Sequence, residues 1–213
     1  MIKETKPKYA HYTDVEDPIL WQKFKEGEEA VLDFIYSQYL IRLYNYGLKI
    51  VSDSALVEDC IQELFIELWQ RRTFLGNTNC IKFYLLKALK RKILKKHPLS
   101  ISTIKESYPK GYHFEVIFSY ETQCIHQELV EEQKVKLKGA LESLSSRQQE
   151  VVYLKFYHKL TYNQIAEVME IEKSAVYTLL FKAIKKLRKS LKRAHLYALL
   201  GMITLLIVCL CSM

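Results

Sequence analysis

The sequence predicts an all-α protein of two small helical domains, and three observations lead there. Apolar residues recur at spacings of three and four, helix-start signals precede several of these stripes, and the periodicity lapses between Pro98 and about Tyr120. No region calls for a strand. With 213 residues, 49% hydrophobic and 26% charged content, the chain has room for one or two domains with real cores.

Asp17 before Pro18 has the form of an N-cap with proline at the first helical position. Helical spacing then runs to Val51, enough for two helices broken near Gly27. Ser52, Asp53 and Ser54 offer the next cap. After it, Val57, Ile61, Leu64 and Leu68 mark a buried stripe widened by Phe65 and Trp69, in a helix ending near Arg72. Gly76, Asn77 and Asn79 form a loop. Ile81 to Lys96 follows with Leu86, Leu89 and Ile93 inward, and Pro98 stops it. Residues 18–97 therefore read as one domain, 98–120 as a linker and 121–193 as a second domain.

Within the second domain, Leu141 to Arg188 reads as a helix-turn-helix with a basic tail. Thr161 and Gln164 have the form of a capping box, so a helix starts near Thr161. Ile165, Ala166, Val168 and Met169 give it an apolar face, Ile171 lies in the turn, and Val176, Leu180, Ala183 and Leu187 form the second stripe. Lys182, Lys185, Lys186, Arg188, Lys189, Lys192 and Arg193 follow with no acid among them. Helical domains that never touch DNA share the apolar pattern; the charge favours DNA.

Residues 194–213 contain no Asp, Glu, Lys or Arg and directly follow this basic run. Their length matches the roughly 20 residues of a transmembrane helix, held with its basic flank on the cytoplasmic side. A buried core or helix-pairing segment is the alternative.

A formal charge of +8 favours an acidic polymer or an anionic membrane as partner. Cys60, Cys80, Cys124, Cys209 and Cys211 include no CxxC pair or zinc-ligand spacing, in keeping with free thiols in a reducing compartment. Phosphate-cradling glycine loops, H-E-x-x-H and G-x-S-x-G are missing, so neither catalysis nor a cofactor or metal is expected. The first 14 residues are polar, unlike a secretory signal.

Asp59, Gln62 and Glu63 stand at i, i+3 and i+4 on one helix face, where a partner bearing arginines could read them; an ordinary solvated surface is the alternative. The next helix carries Lys82, Lys87, Lys90, Arg91, Lys92, Lys95 and Lys96 without an acid, and Lys87, Arg91 and Lys95 share one side. Phe83 and Tyr84 at its start could stack bases while the cations follow phosphates, although either ring could be core. At the start of the last helix, Lys173, Ser174, Tyr177 and Thr178 are placed to enter a major groove, with Lys182 and Lys185 on phosphates.

These pieces, from roughly Phe24 to Leu191, resemble the extracytoplasmic-function group of sigma factors, the two-domain bacterial relatives of sigma-70. FKEGEEAVLDFIYSQYLIRLYNYGLKIVSDSALVEDCIQELFIELWQRR is similar to the group's domain two, especially at Asp59, Gln62, Glu63, Phe65, Leu68 and Trp69. LSSRQQEVVYLKFYHKLTYNQIAEVMEI is similar to the start of domain four, at Leu144, Arg147, Gln148, Tyr162, Ile165, Ala166 and Ile171. The resemblance implies a non-enzymatic subunit that binds core RNA polymerase, opens the minus-ten element with domain two and docks domain four on the minus-thirty-five element. Asp59, Gln62 and Glu63 would contact the clamp helices of the largest polymerase subunit, and Lys82 to Lys96 would track the melted strand. An anti-sigma factor is a further partner the resemblance allows, and the expected location is the bacterial cytoplasm, tethered to the inner membrane by residues 194–213. The sequence departs from the group's pattern at Glu170, usually a turn glycine, at Glu172, usually a Ser or Thr cap, and at Leu179 and Arg91, often arginine and asparagine. A membrane-tethered helix-turn-helix regulator without polymerase recruitment is the second reading, and an interaction protein using both basic runs against lipid the third.

Overall fold

The computed structural model describes residues 9–96 and 137–190, and the chain divides into two units, residues 1–103 and 104–213. Among the described residues every regular element is helical. The expected linker and residues 194–213 lie outside them. Among the described residues no helix is long and apolar enough to cross a membrane.

The first unit packs four helices. They are α1 (Asp17–Glu26), α2 (Glu29–Ile50), α3 (Ser54–Gln70) and α4 (Ile81–Lys96), with a short 3-10 turn at Ala10–Tyr12 before them. The break near Gly27 is present: this residue adopts φ 94°, a left-handed conformation that glycine enters without a Cβ clash, and it ends α1. Asp53 caps α3 by accepting the Leu56 N–H at 3.0 Å.

Asp17 behaves differently from the expectation. Glu16 holds the N-cap position of α1, while the Asp17 carboxylate accepts the backbone N–H of Ile81 at 2.8 Å and so caps α4 instead. A carboxylate favours whichever helix start it can reach, because orphan N–H groups and the helix dipole both attract it. Trp21 adds a second tie, its indole N–H donating to the Gly76 carbonyl at 2.8 Å in the α3–α4 loop.

The core of this unit forms where α2, α3 and α4 converge. Gly47 makes the approach possible, since a Cβ there would lie 2.6 Å from Val57 Cγ1 and 3.3 Å from Ile93 Cδ1. Val57, Ile61, Leu64 and Leu68 face inward as their spacing predicts, as do Leu86, Leu89 and Ile93.

The second unit contains a helix over residues 137–142 (α5), α6 (Ser146–Val152), a π-helical turn (Tyr153–Tyr157), α7 (Tyr162–Met169) and α8 (Lys173–Ser190). Both α6 and α7 start with complete capping boxes. In the second of these, the Gln164 N–H donates to Thr161 Oγ1 at 3.3 Å and the Thr161 N–H to Gln164 Oε1 at 2.9 Å. Ile165, Val168 and Met169 from α7 and Val176, Leu180 and Ala183 from α8 are buried, whereas Ala166 and Leu187 are half-buried. Leu137, Ala140, Leu141 and Leu144 close the core against Ala183. Between α7 and α8 the chain turns at Glu170, which takes the left-handed conformation at φ 53° and ψ 47° without being glycine.

Candidate nucleic-acid and protein interfaces

The inward stripe of α3 leaves Asp59 and Gln62 exposed on its other side, with Glu63 half-buried beside them. Glu63 is already engaged within the unit. Its carboxylate accepts from Lys96 Nζ at 2.5 Å and from Lys92 Nζ at 3.3 Å, and Lys92 also donates to Glu67 at 2.6 Å. Hydrogen bonds from Lys96 and Lys92 hold the Glu63 carboxyl below its ordinary range, outweighing desolvation. Desolvation pulls Lys92 down, yet its bonds to Glu67 and Glu63 win and hold the ammonium above its usual value; the Glu63 bond does the same for Lys96. The pairings span 25 to 33 residues and join α3 to α4. No spacing within one helix could have revealed them.

On α4 the expected track divides. Arg91 and Lys95 are exposed, whereas Lys82, Phe83, Tyr84 and Lys87 are half-buried. Lys90 departs from the expectation of a solvent-facing cation: it is only 3% exposed. The reason is geometric, because position 90 lies four residues after Leu86 and three before Ile93 and so falls within the buried stripe. Tyr84 serves the core with at least one face, its ring centroid 4.9 Å from that of Trp21, and burial pushes its phenol up. Phe83 sits under a cation, with Lys87 Nζ 5.5 Å from its ring centroid.

On α8, Lys173, Ser174, Tyr177, Thr178, Lys182 and Lys185 are all exposed. Burial of Val176, Leu180 and Ala183 turns Ser174, Thr178, Lys182 and Lys185 outward, whereas Tyr177 flanks that stripe and Lys173 shares its phase but is exposed as the first residue of the helix. Thr178 Oγ1 donates to the Ser174 carbonyl at 3.0 Å, so its hydroxyl proton is used and the oxygen can still accept. Phe181, 69% exposed, falls on the same side, one turn beyond Tyr177. Sequence reasoning passed over it because an exposed phenylalanine has no periodic signal. It names Tyr162 only as part of the sigma-like pattern and passes over Lys155. The Tyr162 and Tyr177 ring centroids lie 4.4 Å apart, and Lys155 Nζ is 4.4 Å from the Tyr162 centroid.

Among the described residues, no group of His, Cys, Asp or Glu is arranged to hold a metal ion. What both units offer instead is exposed side chains of defined sign on rigid helices. The family comparisons follow the same two-part division: residues 35–97 match the family model Sigma-70 region 2, and residues 140–189 match Sigma-70, region 4. The chain belongs to the sigma-70 family. Two relatives are named extracytoplasmic-function RNA polymerase sigma factors. SigK of Mycolicibacterium vanbaalenii is 22% identical over 177 residues, covering 82% of this chain and 88% of that protein. SigL of Mycobacterium tuberculosis is 23% identical over 168 residues, covering 78% and 92%. Among solved structures, CnrH in complex with the cytosolic domain of CnrY shares the fold at a TM-score of 0.50 and 15% identity, covering 80% of this chain and 94% of that one. In this sigma factor the region 2 match contains Asp59, Gln62, Glu63 and all of α4, and the region 4 match contains α6, α7 and nearly all of α8.

Proposed function

We propose that this sigma factor binds core RNA polymerase through Asp59, Gln62 and Glu63 and directs promoter-specific transcription initiation. In this reading α4 follows the opened minus-ten strand through Lys82, Lys87, Arg91 and Lys95, with Phe83 and Tyr84 at its start. The N-terminal turns of α8 read the minus-thirty-five duplex through Lys173, Ser174, Tyr177 and Thr178, while Lys182 and Lys185 hold phosphates. Lys90 supports α4 from inside and does not touch the strand in this conformation. The observation that carries the reading is the exposed row on α8, presented by a helix-turn-helix whose first helix starts in a complete capping box.

Run-off transcription with core polymerase tests it. The full chain should direct initiation from a defined start site, and the double variant Asp59→Lys, Glu63→Lys should lose core binding in a pull-down. Losing a buried, charge-paired contact in an interface commonly costs about 2–5 kcal/mol. Because Glu63 also pairs with Lys92 and Lys96, the variant Lys92→Met, Lys96→Met, which removes those pairs and keeps Asp59 and Glu63, serves as the control for the internal contacts. Undiminished core binding by the double variant would show that this face is not the polymerase contact, whereas failure of the wild type itself to bind core would leave the second reading, a DNA-binding regulator without recruitment.

Two finer parts belong to the same reading. A protein partner that occludes this sigma factor, as an anti-sigma factor would, is in keeping with the likeness to CnrH, whose structure includes the cytosolic domain of CnrY. The charge-free segment 194–213 after its basic flank would tether the chain to the inner membrane from the cytoplasmic side. Carbonate extraction decides the tether: full-length protein released to the supernatant without detergent refutes it.

A further inference from the structure

We propose that Tyr162 is a positioning residue that fixes the ring of Tyr177 and thereby sets the base preference of α8. The inference rests on reading α8 as the duplex-reading helix.

A tyrosine on the exposed side of a helix can ordinarily occupy more than one staggered rotamer. Tyr177 is 47% exposed and so keeps about half its surface for a ligand. The other part meets Tyr162, with centroids 4.4 Å apart and planes inclined at 34°. That contact selects one rotamer of Tyr177 from those the helix would allow.

Tyr162 is itself held from two directions. It is the first residue of α7, immediately after Thr161, whose capping box fixes the backbone there. Lys155 approaches its ring from the π-helical turn, Nζ lying 4.4 Å from the centroid and donating to the Leu160 carbonyl at 3.4 Å. The Leu160 N–H in turn donates to the Leu154 carbonyl at 3.1 Å, closing the loop in which Lys159 adopts φ 55°. Lys155, Tyr162 and Tyr177 thus form a chain from the π turn through the start of α7 to the outer side of α8. A reading side chain must be held to about half an ångström to discriminate between bases, and its neighbours supply that restraint.

The test is a selection of duplexes from a pool randomised over the upstream element, using the full chain bound to core polymerase. Wild type should enrich one sequence, and Tyr177→Leu should relax it at particular positions. Tyr162→Leu should relax the same positions, lowering discrimination there about three- to tenfold, the scale of an aromatic pair. Tyr162→Phe, which keeps the ring, should retain the wild-type preference, and Tyr162→Leu with Tyr177→Leu should relax it no further than Tyr177→Leu alone. Affinity of Tyr162→Leu for a scrambled duplex should stay unchanged, because phosphates are held elsewhere. The inference is overturned if Tyr162→Leu keeps full discrimination, if Tyr162→Phe loses it, or if the two leucine effects add. Absence of any enriched sequence with wild type, or an unaltered preference in Tyr177→Leu, would instead sink the reading of α8 or of Tyr177. Where Tyr162→Leu loses helical circular dichroism, Lys155→Met replaces it: a smaller relaxation at the same positions supports the chain of contacts, and none overturns it.

Discussion

Helices α4 and α8 look alike on paper, each carrying a run of lysines and arginines without an acid, yet they use that charge in different ways. In α4, Lys90 lies in the buried stripe and Lys92 and Lys96 are clasped to Glu63 and Glu67 of α3. On α8, Lys173, Lys182 and Lys185 are exposed along its length. The α4 run is partly a device for holding two helices together, and Lys90 is withdrawn from solvent altogether. A count of basic residues therefore overstates the electrostatic reach of the first unit relative to the second.

The difference can be broken most severely from the core. Gly47→Ala should destabilise the first unit by about 1–3 kcal/mol, since the added Cβ would overlap Val57 and the contact with α3 and α4 must loosen. Differential scanning calorimetry should show the loss, and the sequence-independent duplex affinity assigned to α8 should remain. Next in size is the charge on α8 itself. Lys182→Ala with Lys185→Ala should lower the salt slope of duplex binding by about 1.8, a roughly tenfold change over a fourfold span of salt. Lys90→Met, by contrast, should leave the salt slope of single-strand binding unaltered, whereas Arg91→Ala and Lys95→Ala should each remove about 0.7 from it. An equal loss with Lys90→Met would mean that this side chain leaves the core when the strand arrives.

Asp17→Ala should cost the first unit about 1 kcal/mol in urea melts through loss of the α4 cap, with faster amide exchange confined to the start of that helix. The smallest effect concerns the clasp between α3 and α4. The Glu63 carboxyl is held below its ordinary range in the folded state, so its contribution is present above an unfolded value of about 4.3 and disappears as pH falls through the lower folded value. Acid titration below about pH 4.3 should therefore weaken wild type more than Glu63→Gln. A pair of curves with identical acid limbs would remove the clasp from the account of α4.

Much of this fold was legible because its signals are local. The capping box at Thr161 and Gln164, the break at Gly27 and the inward stripe of α3 each depend on residues within one or two helical turns. What escaped was long-range or required exact phase. Asp17 was recognised as a capping residue and assigned to the wrong helix, since its partner lies 64 residues away. Lys90 was grouped with its charged neighbours although its phase matches Leu86 and Ile93. The pairing of Glu63 has no signal within its own helix, because its lysine partners lie on another. Tyr162 stood out only as a residue of the sigma-like pattern, and its contact with Tyr177 crosses the turn between α7 and α8. At Glu170, where the resemblance has a turn glycine, the chain turns in the left-handed conformation with a side chain present.

The cap that Asp17 places on Ile81 also bears on the order in which this protein is made. Asp17 emerges from the ribosome long before the helix it caps, and Trp21 likewise precedes its partner Gly76 by 55 residues. Helix α1 therefore has polar anchor points in segments made only after α3. Early local structure in α1 to α3 can form during translation, but its closure must wait for Ile81 to clear the exit tunnel. A nascent chain arrested just before that residue should remain open to proteases, and one arrested after α4 has emerged should become resistant in a single step.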